Sequence, residues 1–135
     1  MTVTRLVALL TAAALVSVSC GGIVDPSKNV TETFNGTIVQ GGQGQHPFSS
    51  QNGEFTAKLT ALTPTSTALV GLAITLGATD GSCTLQSFQQ NNFVSVNAPA
   101  LGGQIFSGKY CVFIYDVGGI PAGVTENYTI TVSHP

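Results

Sequence analysis

Hydrophobicity in this chain repeats every second residue, and glycine-rich punctuation cuts the repeat into short lengths. Phe55, Ala57, Leu59 and Ala61 alternate with Glu54, Thr56, Lys58 and Thr60, the pattern of a strand with one face buried and the other in water. Tyr128, Ile130 and Val132 alternate with Thr129, Thr131 and Ser133 in the same way. Residues 68–76 (ALVGLAITL) and 110–115 (YCVFIY) are apolar at nearly every position. Runs this short, rich in β-branched and aromatic residues, suit central strands covered on both sides. Further strand candidates are 33–39, 46–50, 82–88, 93–96 and 104–107. Between them lie Gly41-Gly42-Gln43-Gly44, Asn52-Gly53, Asp80-Gly81, Gly102-Gly103, Ser107-Gly108 and Gly118-Gly119, residues that favour tight turns. No window sustains the i, i+3, i+4, i+7 stripe of an amphipathic helix. The pattern predicts an all-β fold, a single antiparallel β-sandwich of jelly-roll-like form, with no second domain.

The first nineteen residues fall outside that pattern. Arg5 precedes an apolar run at 6–16 (LVALLTAAALV), and Ser17-Val18-Ser19 supplies small residues ahead of Cys20. This is the layout of a cleaved secretory signal peptide, since a spanning helix needs about 20 apolar residues. Residues 16–20 (VSVSC) resemble a bacterial lipobox, with Ser17 where leucine is commonest and Ser19 where glycine or alanine is usual. The resemblance implies a diacylglyceryl thioether and further acylation, such as palmitate, on Cys20 as the first mature residue. More than one acyl chain anchors a protein stably to a membrane without spanning it. The alternative is an ordinary secreted protein with a stray cysteine. Residues 20–31 (CGGIVDPSKNVT) read as a short tether and 32–135 as the sandwich. Gly21 after the cysteine resembles the sorting pattern of outer-membrane lipoproteins, so the expected location is the bacterial cell envelope, lipid-anchored, outer membrane favoured, with the domain extracytoplasmic.

Three cysteines leave one over in any pairing. If Cys20 carries lipid, Cys83 and Cys111 remain as a disulfide pair in an oxidising compartment; two buried free thiols are the alternative. No CxxC spacing is present and neither histidine lies near a cysteine in sequence, which argues against a cysteine-based metal site.

The segment 108–115 (GKYCVFIY), a glycine-rich loop and then 128–132 (YTITV) are similar to the closing strands of the bacterial pre-peptidase C-terminal domain. Residues 35–38 (NGTI), 53–55 (GEF) and 70–76 (VGLAITL) are compatible with it. The resemblance implies a small β-sandwich serving as an accessory module of exported proteins. The acidic positions of that family's calcium-binding members are represented here by Asp25 and Glu32, and no metal is expected.

Catalytic and nucleic-acid chemistry find little support. Four basic residues and a formal net charge of −2 cannot supply the phosphate contacts of a nucleic-acid binder. Residues 103–109 (GQIFSGK) match most of a phosphate-binding loop, but Tyr110 stands where magnesium chemistry needs Ser or Thr. The two histidines, His46 and His134, read as surface or loop residues. Asp25, Glu32, Glu54, Asp80, Asp116 and Glu126 are scattered, and Asp80 and Asp116 read as turn formers. The expectation is a non-enzyme without cofactor other than covalent lipid, a small hydrolase being the least favoured alternative.

From position 20 onward the chain holds 14 Thr, 9 Ser, 7 Asn and 8 Gln. Water-facing positions are therefore filled by hydroxyls and amides. Loops carried by a rigid sandwich are the usual place for binding residues, and 40–48 (QGGQGQHPF) and 89–93 (QQNNF) are the contact loops expected here, with Gln43, Gln45, His46, Phe48, Gln90, Asn92 and Phe93 as contact residues. The function expected is a binding or accessory module for an envelope protein or glycan, the alternative being a cell-surface carbohydrate-binding module. The absence of tryptophan, the usual sugar-stacking residue, tells against the latter.

Overall fold

The computed structural model describes residues 25–135. The expected signal peptide and the expected lipid acceptor Cys20 lie outside the described residues. After a single 3-10 turn at Pro26–Lys28 the chain forms β1 (Val30–Val39), β2 (Gln43–Ser50), β3 (Gly53–Thr63), β4 (Val70–Gly77), β5 (Cys83–Val94), β6 (Pro99–Ile105), β7 (Gly108–Asp116) and β8 (Thr125–His134). β1 begins inside the stretch expected to be tether.

Two antiparallel four-stranded sheets face each other. Their orders are β1-β8-β3-β6 and β2-β7-β4-β5, the arrangement of an eight-stranded jelly roll. The all-β sandwich read from the alternation is therefore the fold. β3 and β8 show its cause directly: Phe55, Ala57, Leu59, Tyr128, Ile130 and Val132 turn inward and are buried, while the residues between them face water or lie half-covered. The two continuous apolar runs become β4 and β7, the central strands of the second sheet. Their inner faces (Val70, Leu72, Ile74, Val112, Ile114) join the main core. On the outer face Ala73, Cys111 and Phe113 make a small second core with Cys83 and Tyr115 packed against it.

Several expected breaks are absent. Segments 82–88 and 93–96 are not separate strands, because β5 runs unbroken through 89–93. Gly102-Gly103, expected to be a turn, lies within β6. A Cβ at Gly102 would stand 3.2 Å from the Phe55 carbonyl, so glycine serves close backbone approach there. Residues 103–109 end one strand and begin the next, and thus form no helix-opening phosphate loop.

Cys83 and Cys111 form a disulfide with a Cα–Cα separation of 5.7 Å. Cys111 is fully buried. The bridge straps the start of β5 to β7 across β4, and marks the domain as extracytoplasmic, where such bonds form and persist.

Candidate functional site

β1 and β2, edge strands of opposite sheets, close one side of the sandwich with rings. Phe34 of β1 stacks on His46 of β2 at 5.1 Å between centroids. His46 Nε2 and the Tyr128 hydroxyl share a 2.9 Å hydrogen bond. Gly36 and Gly44 make room for that tyrosine, because a Cβ at either would collide with its hydroxyl. Below this tier, Phe48 packs on His134 at 5.0 Å, and His134 Nε2–H donates to Glu32 Oε1 at 2.9 Å. His134 is 2% exposed. Both histidines thus belong to strands and to this seam, which corrects their reading as surface or loop residues. Burial pushes the His46 imidazole below its ordinary pKa and the Tyr128 hydroxyl above its own, since it withholds the hydration that each charged form needs.

Three of the acids, Asp116, Glu126 and Asp25, are held by backbone N–H groups. Desolvation opposes ionisation of Asp116, but the N–H groups of Gly41, Ile120, Gly118 and Gly119 outweigh it and hold its carboxyl below the usual value. Its role is to tie the β1–β2 turn to the loop after β7. Glu126, fully buried, accepts the Thr65 N–H with both oxygens, at 3.1 and 2.9 Å. Asp25 accepts the Ser27 N–H. Among the described residues no three His, Cys, Asp or Glu side chains converge in a metal-holding arrangement.

The expected contact residues are not on loops. Gln43, Gln45, His46 and Phe48 lie in β2 and Gln90, Asn92 and Phe93 in β5. His46 and Phe48 turn into the sandwich, the latter 6% exposed. Gln43, Gln45, Gln90 and Asn92 do share one face, the outer face of the second sheet. One cross-strand row there reads Gln45, Phe113, Ala73, Gln90, and in the next the Tyr115 hydroxyl donates to Asn92 Oδ1. The glutamines of β2 and β5 occupy opposite edges, three strand spacings or about 14 Å apart. They flank the small core around Phe113.

The irregular part of the molecule is β5. Its ladder with β4 pairs Gly77 with Cys83, Thr75 with Ser87, Ile74 with Gln89, Ala73 with Gln90, Leu72 with Asn91 and Val70 with Val94, and shifts register three times. The residues skipped by those shifts include Leu85, Phe88 and Phe93. These are the three exposed large apolar residues of the strand, at 83%, 43% and 75%. Bulges re-aim side chains and bend the strand. Here the bulges leave Leu85 and Phe93 largely in solvent, while Phe88 keeps one side against the rings of Phe55 and Tyr110, at 6.3 and 6.1 Å between centroids.

Comparison with protein-family models gives no match, and comparison with curated sequences gives none. Among solved structures, the chain is similar to the Yersinia pseudotuberculosis-derived mitogen, with a TM-score of 0.55 and 20% identity over 79% of this chain and 87% of that one. It is also similar to Aeromonas hydrophila PliG, a periplasmic inhibitor of g-type lysozyme, with a TM-score of 0.52 and 14% identity over 79% and 88% of the two chains. The likeness is one of fold.

The other sheet edges are guarded differently. β2 carries Pro47, which has no N–H to offer a partner strand. β6 begins with Pro99, and its carbonyls at Ala100 and Gly102 accept the side-chain amides of Asn91 and Gln89, each at 3.2 Å. β1 places Glu32 against the seam. β5 has neither proline nor charge in twelve residues; its bulges disrupt the flat edge that strand addition would need. What it offers instead is the exposed side chains of Leu85 and Phe93 and the free side of Phe88, with Gln86, Gln90 and Asn92 between them in the strand. Leu85 and Phe88 escaped the sequence reading. Their signal was odd spacing, three residues and then five, which alternation in a regular strand would send to opposite faces.

Proposed function

We propose that this chain is a lipid-anchored, non-enzymatic binding module of the bacterial cell envelope that takes a protein partner on the bulged strand β5. The observation that carries this reading is the coincidence of all three β5 register shifts with its exposed apolar residues. Exposed leucine and phenylalanine cost solubility unless something covers them, and aromatic anchors rimmed by polar groups are the usual centre of a protein interface. The uncharged amides around them can hydrogen-bond a partner without the desolvation cost of charges. The periplasmic lysozyme inhibitor of similar fold supports a protein as the partner class, and the resemblance to pre-peptidase C-terminal domains supports an accessory role.

The non-enzymatic part is supported by how the titratable groups are used. Asp116 is bonded by four N–H groups, Glu126 by Thr65, His134 by Glu32 and His46 by Tyr128. The anchor is supported by the disulfide: with Cys83 and Cys111 joined, Cys20 is the cysteine left over.

Site-specific photo-crosslinking in the envelope tests the partner. A photoreactive residue at Leu85 or Phe93 is expected to capture one discrete protein, and the same residue at Thr37 of β1 is expected to capture none. Equal adducts from Thr37, or saturable binding of a defined glycan with no protein adduct from β5, would replace this reading.

A further inference from the structure

The antiparallel registers give the sandwich two poles. One carries the start of β1, the β2–β3, β4–β5 and β6–β7 turns and the C-terminal Pro135; the other carries the remaining connections. The chain enters at the first pole, where Asn29 Nδ2–H donates to the Glu54 carbonyl at 2.9 Å and Val30 pairs with His134. Phe106 sits in the β6–β7 turn of this same pole and is 63% exposed. The turn around it is fixed: the Tyr110 hydroxyl donates to the Phe106 carbonyl at 3.0 Å, and the Ser107 N–H to Asn52 Oδ1 at 2.7 Å. The ring is therefore held outward by design of the turn. Val30, 53% exposed, adds apolar surface at the entry point.

We infer that Phe106 seats in the interfacial layer of the bilayer that holds the lipid on Cys20, an inference that rests on the lipid-anchor reading above. Five residue steps separate Cys20 from Asp25, a reach of at most about 18 Å, and the turn at Pro26–Lys28 and the Asn29 contact then fix the chain to this pole, so this pole is the one kept at the membrane. Aromatic side chains favour the headgroup boundary, where the ring is covered and the backbone stays wet. The pole's charges are mixed, Lys28 and Lys109 with Asp25, Glu54 and Asp80. Contact is thus apolar rather than a polybasic attraction, and does not depend on anionic lipid. It also leaves β5 standing up from the surface along its length, with Leu85 nearer the membrane than Phe93.

Because the chain has no tryptophan, single-tryptophan variants report position cleanly. The full-length acylated protein is reconstituted in phosphatidylcholine vesicles with and without brominated phosphatidylcholine, as Phe106→Trp and, at the opposite pole, Val39→Trp. Mass spectrometry of the same samples reads acylation of Cys20. The expected result is blue-shifted emission from the Phe106→Trp protein that brominated lipid quenches and added salt does not restore, with Val39→Trp unaffected. Acylated protein whose Phe106→Trp emission is unquenched, or quenched no more than that of Val39→Trp, overturns the inference while leaving the anchor intact. An unmodified Cys20 overturns the anchor reading and this inference with it.

Discussion

The two open sides of this sandwich are closed by different means. On the β1–β2 side both ladders run without a register shift, ten pairs with β8 and eight with β7. Rings then fill the gap between the sheets: Phe34, His46 and Tyr128 in one tier, Phe48, His134 and Glu32 in the next. On the β5–β6 side the ladder slips three times, and the gap is bridged by two amides reaching from β5 to carbonyls of β6. Regular pairing turns Phe34, Ile38 and Phe48 toward the core and leaves apolar surface exposed only at the two ends of β1, at Val30 and Val39. Slippage frees Leu85 and Phe93 from the core and leaves Phe88 half-covered against the rings of Phe55 and Tyr110. One side of the molecule is spent on stability and the other on display, within a single jelly roll.

This contrast can be broken at several points, the largest effect coming from the disulfide. Replacing Cys83 and Cys111 together by alanine removes a closed loop of about 29 residues, and the chain-entropy model gives a loss of about 3.6 kcal/mol. Chemical denaturation measures the total. Hydrogen exchange measures its distribution, and the amides of β5 are expected to lose protection before those of β1 and β2. Uniform loss would mean that the bulged side is no less self-supporting than the ringed one. Next comes Gly44→Val, which forces a branched side chain onto the Tyr128 hydroxyl. Overpacking of this kind costs about 3 kcal/mol, and the denaturation midpoint should fall accordingly. A change within error would show that the ring tiers repack freely. Glu32→Ala leaves the buried His134 Nε2 without its acceptor, at a cost of about 2 kcal/mol. By contrast, Leu85→Ser with Phe93→Ser should leave the midpoint within about 0.5 kcal/mol of the parent, as exposed substitutions do, while abolishing capture of the partner. A large loss of stability there would make the two residues structural.

Much of this was legible from residue order. Alternation in 54–61 and 128–133 specified which side chains enter the core, and the continuous runs at 68–76 and 110–115 specified the central strands, because strand periodicity acts locally. The Cys83–Cys111 bridge followed from parity once Cys20 was set aside. The candidate site was half legible. Gln90, Asn92 and Phe93 were singled out for their composition, but amide-rich sequence looks the same in a loop and in an exposed edge strand. Only pairing with β4 shows that 89–93 is strand and that its ladder slips. His46 beside Pro47 and His134 beside the terminus looked like surface residues for a similar reason. What buries them is the approach of β1 to β2 and of Glu32 to the last residues of the chain, contacts between positions about 100 apart in sequence that no local pattern encodes.

The smallest effect separates the ring tiers from the rest of the molecule by pH. Burial holds the folded-state pKa of His46 below its ordinary value of 6.5, so the unfolded chain takes up the proton first on acidification. Stability is then fully present above pH 6.5 and is lost as the pH falls from there through the depressed folded value. The groups facing His46 are Phe34 and Tyr128, and Tyr128 titrates far above this range because burial raises it. The lowered Asp116 carboxyl acts in a separate window, its stabilisation being lost only as the pH falls below 3.8. His46→Phe keeps the stack on Phe34 and removes the titration. Denaturation midpoints measured down from pH 7 should decline just below pH 6.5 in the parent and stay flat there in the variant. An identical decline in both would mean that the proton enters elsewhere and that the β1–β2 seam is open enough to hydrate its imidazole. The contrast between a sealed side and a displaying side would then lose its physical basis.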